Sequence, residues 1–240
     1  MIEFYELLDD ENTPYRCDVE LDLIEEAPQE ERPWLLWLFV KADAVNERIE
    51  AFSEDLYATF LNSLDALFAG RIMKEGWAEY YFYAPNAKRF ENISTEVMNR
   101  HGGFAYERGS SKDTKWEMYT DNLYPDAYGL LGIQNRHTIE ALVEAGDDLN
   151  ISREVEHYLF FQTKSSMERA VTQLASHGFS LKEYVHDDES DYAYGAVLIK
   201  NESVLPAAVE ETTTSLYESA IQEHGDRKST RLNSSHDQIS

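Results

Sequence analysis

Two groups of side chains hold most of the chemical potential in this sequence. The hexapeptide HDDESD gathers Asp187, Asp188, Glu189 and Asp191, and carboxylates this dense can hold Ca²⁺ or Mg²⁺ or attract a basic partner. The stretch lacks the central glycine and the late bidentate glutamate of a calcium-binding loop. A solvated hairpin tip is therefore the first reading, a dock for a basic partner the second and a metal site a distant third. The other group is a belt of cations, Arg71, Lys74, Lys88, Arg89, Arg100, Arg108, Lys112 and Lys115, interleaved with Trp77, Tyr81, Tyr83, Tyr106 and Trp116. Basic residues among aromatics can stack nucleic-acid bases, but residues 71–115 hold only 8 Lys and Arg against 6 Asp and Glu. Core packing and ion pairing are the default for this belt. Arg71, Tyr81, Tyr83, Arg108 and Trp116 are its candidate pocket, in which the aromatics form the wall and the arginines the polar groups.

Little else points to catalysis. The chain has no GxGxxG, no Walker A, no GxSxG and no HExxH. Its one cysteine, Cys17, cannot form an internal disulfide and is far in sequence from any histidine, so a packed thiol is expected rather than a nucleophile. His157 alternates with Val155, Leu159 and Phe161, which points it into the domain as a hydrogen-bonded structural histidine. No metal site and no cofactor are expected.

The elements that must position these groups read as alternating strands and helices. YRCDVELDLI and PWLLWLFVKA are strands, and Ile49, Phe52, Leu56, Phe60, Leu64 and Leu67 recur at helical spacing. RIMKE and WAEYYFYA flank Gly76 as a hairpin, a second helix carries Ile93 and Val97, and FAYERG and KWEMYT are strands. A longer helix after Pro125 runs through Leu131, Ile139 and Leu142. From REVEHYLFF onward the order is strand, helix, strand, strand, helix, ending in LPAAVEETTTSLYESAIQEHG. One more strand would complete a βαββαβ sandwich. The expected fold class is α+β, with two ferredoxin-like-type α/β sandwich domains over residues 1–149 and 150–225, the second a βαββα unit with its last strand missing.

Charge bounds the partners. The net charge is −25, and residues 150–225 alone hold 13 Asp and Glu against 5 Lys and Arg. Such a surface repels phosphate backbones, so direct nucleic-acid binding is disfavoured, while a basic protein partner is favoured. The longest strongly apolar run, WLLWLFV, is too short to cross a bilayer, and the N-terminus lacks a signal-peptide pattern. With a single cysteine, a cytoplasmic setting is expected. Oligomeric state is not legible.

The stretches GRIMKEGWAEYYFYA and KWEMYTDNLYPD resemble the bacterial domain-of-unknown-function family numbered six hundred ninety-five, over roughly residues 1–149. REVEHYLFFQTKSSMERAVTQLASHGF resembles the RraB family, regulators of ribonuclease E activity, over residues 150–225. This second resemblance implies a non-catalytic regulator that binds a ribonuclease E-type nuclease. The alternative is a small-molecule-binding or hydrolytic protein that uses the aromatic pocket of the first domain. RraB-like chains continue past the last helix with an acidic-aromatic strand, whereas this chain turns to DRKSTRLNSSH. That string resembles the translation of a common sequencing adapter, read in one frame from Asp226 through His236. Residues 226–240 are therefore expected to be non-native.

Overall fold

The computed structural model describes residues 1–8, 11–42, 44–188 and 190–232, the last eight of these as backbone alone. The chain divides into two compact units, Met1–Leu130 and Leu131–Ser240.

In the first unit, strands β1 (Ile2–Leu8), β2 (Pro14–Glu20), β3 (Trp34–Lys41), β4 (Leu67–Lys74), β5 (Trp77–Ala84) and β6 (Tyr106–Lys112) form one sheet in the order β1-β2-β4-β5-β3-β6. Every adjacent pair is antiparallel. With helices α1 (Glu47–Leu64) and α2 (Phe90–Arg100), the run from β3 to β6 is a βαββαβ ferredoxin-like core, and β1 and β2 extend it beyond β4. The apolar stripe of α1 forms as its spacing predicts, with Ile49, Phe52, Leu56, Phe60 and Leu64 buried. Asn46 caps its first turn by accepting from the amides of Arg48 and Ile49, and Asp65 ends it in the left-handed region at φ 52°. Leu67 opens β4 instead of continuing the helix.

Strand alternation sorts this sheet into two faces. Leu36, Leu38, Val40, Ala78, Tyr80, Phe82 and Ala84 pack under α1 and α2. On the reverse face, Tyr5, Cys17, Val19, Leu35, Tyr81 and Tyr83 are buried, as are Trp116, Tyr119 and Leu123. The last three do not extend the strand expected at KWEMYT. Tyr119–Leu123 is a π-helical turn, entered through Trp116 at φ 58°. Its physical advantage is orientation: Trp116 stacks on Tyr83 at 4.0 Å and 10°, and the Tyr5 hydroxyl donates to the Leu123 carbonyl at 2.9 Å. A strand would turn alternate side chains away from that face.

The second unit takes up most of α3 (Ala127–Glu144), so the division falls earlier than the expected boundary after residue 149. The reason is packing: Ile139 and Leu142 lie against Val155, Val204 and Val209, and the Asn135 side-chain amide donates to Thr213 Oγ1 at 2.8 Å. Strands β7 (Arg153–Phe161), β8 (Ser180–His186), β9 (Tyr194–Glu202) and β10 (Gly225–Leu232) form an antiparallel sheet ordered β10-β7-β9-β8, with helices α4 (Lys164–Ala175) and α5 (Pro206–Gln222). This is again the ferredoxin-like order. The expectation that the last strand is missing is corrected, since Gly225 to Leu232 pair with Phe161 to Val155, with a shift between Arg227 and Ser229. The edge of β7 offers unpaired N–H and C=O groups, and a backbone ladder satisfies them whatever side chains the incoming segment carries. Residues 233–240 lie outside the described residues.

Candidate protein-binding site

The acidic stretch sits in the connection between β8 and β9. Asp187, Asp188 and Asp191 are exposed, with the Asp188 side chain 91% accessible. The amide of Asp187 donates to the Ala193 carbonyl at 2.9 Å, and the amide of Ser190 to the Asp187 carbonyl at 3.2 Å. His186 Nε2 lies 2.8 Å from Asp188 Oδ1, and its ring packs 4.8 Å from Tyr194. Glu189 lies outside the described residues. Among the described residues no group of three or more His, Cys, Asp and Glu side chains is placed to hold a metal ion. Carboxylates held this way keep their water and attract cationic groups at long range, with little cost to the fold.

The five candidate pocket residues do not converge. Arg71 pairs with Tyr80 and Arg108 with Leu38, which puts both arginines on the helix-covered face. Tyr81, Tyr83 and Trp116 belong to the reverse face. Arg71 is 3% exposed and spans Asp18 Oδ2 at 2.9 Å, Glu50 Oε1 at 3.0 Å and Ser53 Oγ at 3.0 Å. It lines a cavity of about 200 Å³ together with Arg16, Asp18, Glu50 and Tyr57. Arg108 instead braces the start of α2, donating to the Glu91 carbonyl, Ser94 Oγ and Thr95 Oγ1 at 2.6–2.7 Å. The Tyr83 hydroxyl donates to Asp113 at 2.6 Å, the Trp116 indole N–H to the Arg32 carbonyl at 3.0 Å and the Tyr81 hydroxyl to Glu79 at 2.7 Å. Each polar group is spent on the fold. Gly109 is required where it stands, because a Cβ there would lie 2.2 Å from the Trp37 ring.

Cys17 is fully buried, its Sγ 3.7 Å from the Leu123 carbonyl. Burial pushes its thiol up to about 12; the hydrogen bond with Tyr5 opposes the rise and Asp18 adds to it. Such a thiol is no nucleophile at neutral pH. His157 does point inward, 1% exposed, with Nε2 3.5 Å from Glu202 Oε1 and its ring edge-on to Phe179.

Sequence reasoning missed the partners gathered around that histidine. Thr212 of α5 donates to Glu202 Oε2 at 2.5 Å, and Lys200 Nζ lies 3.1 Å from the same oxygen. Burial alone would raise the Glu202 carboxyl; the approach of His157, the hydrogen bond from Thr212 and the ion pair with Lys200 outweigh it and hold the group below the usual carboxylate range. The only sequence signal was the inward parity of Lys200 and Glu202 on an otherwise apolar strand face.

Two antiparallel α+β sandwiches in ferredoxin-like order, the first enlarged by a hairpin, define the class of this protein. Residues 4–124 match the family of unknown function DUF695, and the chain belongs to that family. Residues 132–227 match the family described as regulator of ribonuclease activity B, RraB. No curated protein matches the chain. The crystal structure of an unknown protein from Galdieria sulphuraria aligns over 85% of this chain and 99% of its own length, at 15% identity and a TM-score of 0.25. Among the described residues no helix is long and apolar enough to cross a membrane.

Proposed function

We propose that this chain is a non-catalytic regulatory protein that binds a ribonuclease E-type nuclease through its second unit, with Asp187, Asp188, Glu189 and Asp191 at the contact. The observation that carries the reading is the exposed acidic turn, which lies inside the segment matching the regulators of ribonuclease activity. Thirteen carboxylates against five cations in residues 150–225 supply a field that steers a basic surface onto it. The reading disfavours direct nucleic-acid binding and needs no cofactor. Association of the full chain with an immobilised ribonuclease E-type nuclease should slow as salt rises, because the Debye length falls to about 8 Å near physiological ionic strength. Salt-independent association, no association, or tight RNA binding by the protein alone refutes it.

The pocket alternative, a small-molecule or hydrolytic site in the first unit, is not favoured, since its arginines and aromatics lie on opposite faces of the sheet. Neither reading uses the side chains of residues 226–240, which we infer to be a translated adapter. Recovering the same codons from source genomic DNA would refute that inference.

A further inference from the structure

We infer that the open edge of β8 receives an extended, basic segment of the protein partner as a fifth strand of the second sheet. The inference deepens the reading above and rests on it for the nature of the partner. β8 ends the order β10-β7-β9-β8, and among the described residues it pairs with β9 alone. Its other edge therefore presents backbone donors and acceptors to solvent, a template for strand addition.

The edge is protected over only part of its length. A bulge between Leu181 and Glu183 makes Lys182 the extra residue, and its Nζ is tied to Glu156 at 2.6 Å. Beyond the bulge, Glu183 to His186 run in unbroken register with Val197 to Tyr194. On this stretch Tyr184 is 54% exposed, with exposed Leu181 just before the bulge. Tyr184 lies beside Ala196, toward the helices, while Glu183 lies beside Val197 on the opposite face. An incoming strand would thus meet an aromatic ring on one face and a carboxylate on the other.

Charge selects the occupant. Glu183 leads directly into Asp187, Asp188, Glu189 and Asp191, and Lys182 is already spent on Glu156. A second copy of this chain would set two acidic edges against each other, which is destabilising. A strand that alternates Lys or Arg with apolar residues is complementary to both faces.

The test uses the full chain and two synthetic probes of equal charge, an alternating Lys-Val octapeptide and the same octapeptide N-methylated at every peptide bond, which has no amide N–H left to donate to a ladder. The Lys-Val peptide should slow amide exchange at residues 183–186, and the N-methylated peptide should not. Tyr184→Lys, and independently Leu181→Lys, should weaken Lys-Val peptide binding by about tenfold or more, whereas Glu210→Lys with Glu211→Lys on exposed α5 should change it by less than about threefold. Equal protection by both peptides, or losses spread evenly over the variants, means diffuse attraction only and overturns the inference. Concentration-dependent dimerisation abolished by Tyr184→Lys would make a second copy the occupant and overturn it as well. If the Lys-Val peptide docks as expected but the nuclease does not bind, the nuclease reading alone fails.

Discussion

Replacing Arg71 with Met separates a structural role for this residue from a ligand-binding one. Asp18 and Arg71 have side chains only 6% and 4% exposed, so removing the guanidinium leaves a carboxylate in low dielectric. Breaking such a buried pair costs about 3–5 kcal/mol. Arg16, whose Nη2 lies 2.6 Å from Asp18 Oδ1, remains and is partly solvated, which argues for the lower end, about 3 kcal/mol. Against a total of about 5–15 kcal/mol this is a large loss, and with a urea slope near 2 kcal/mol/M the midpoint should fall by about 1.5 M. The assay is selective because the four tryptophans, at 34, 37, 77 and 116, all belong to the first unit. Their fluorescence reports the unfolding of that unit alone. Adding Asp18→Asn to Arg71→Met should recover part of the loss, since the orphaned charge is then gone. An unchanged midpoint in the single variant, or a double variant no better than the single, refutes the account.

Three further outcomes are expected. Cys17 in the native protein should resist a thiol reagent at pH 8, where a group near pKa 12 is thiolate at about one part in ten thousand, and should react promptly in denaturant; rapid native labelling would contradict the buried site. Because the Glu202 carboxyl is held below its ordinary value, its contribution is present above about pH 4.3 and is lost as pH falls through the folded-state pKa. Amide exchange in β7 should therefore be faster in Glu202→Gln than in the wild type at pH 7, with the difference shrinking as pH falls through the folded-state pKa of Glu202; a difference that stays constant throughout the acid range would contradict it. Replacing Asp187, Asp188, Glu189 and Asp191 with Asn and Gln should shift stability by no more than about 0.5 kcal/mol while slowing association with the nuclease and flattening its salt dependence. Stabilisation of the wild type by millimolar Ca²⁺, lost in this variant, would instead reveal a metal site.

Local signals in the sequence were enough for α1, the hairpin at Gly76 and the strand-helix-strand-strand-helix order of the second unit. The apolar spacing of Ile49 to Leu64 needs a helix to share one face, and Gly76 sits at φ 75°, which its lack of a Cβ permits. The acidic turn was equally legible, because consecutive carboxylates between two strands have nowhere to go but into solvent. Tertiary structure decided what depends on neighbours distant in the chain. Arg71 and Tyr81 lie on different strands, so no spacing within either strand says whether they share a face; only the register of β4 with β5 and of β6 with β3 set the arginines under the helices and Tyr83 against Trp116. KWEMYT has strand composition, yet the reverse face of β5 needed Trp116 and Tyr119 turned toward it together, and a helical turn supplies that. Glu202, which faces His157, comes from β9 and is itself held by Thr212 of α5, and no spacing within β7 announces either. The fourth strand of the second sheet was invisible for a related reason. Its place is set by the unpaired edge of β7 and the exit of α5, through backbone groups that every residue type carries.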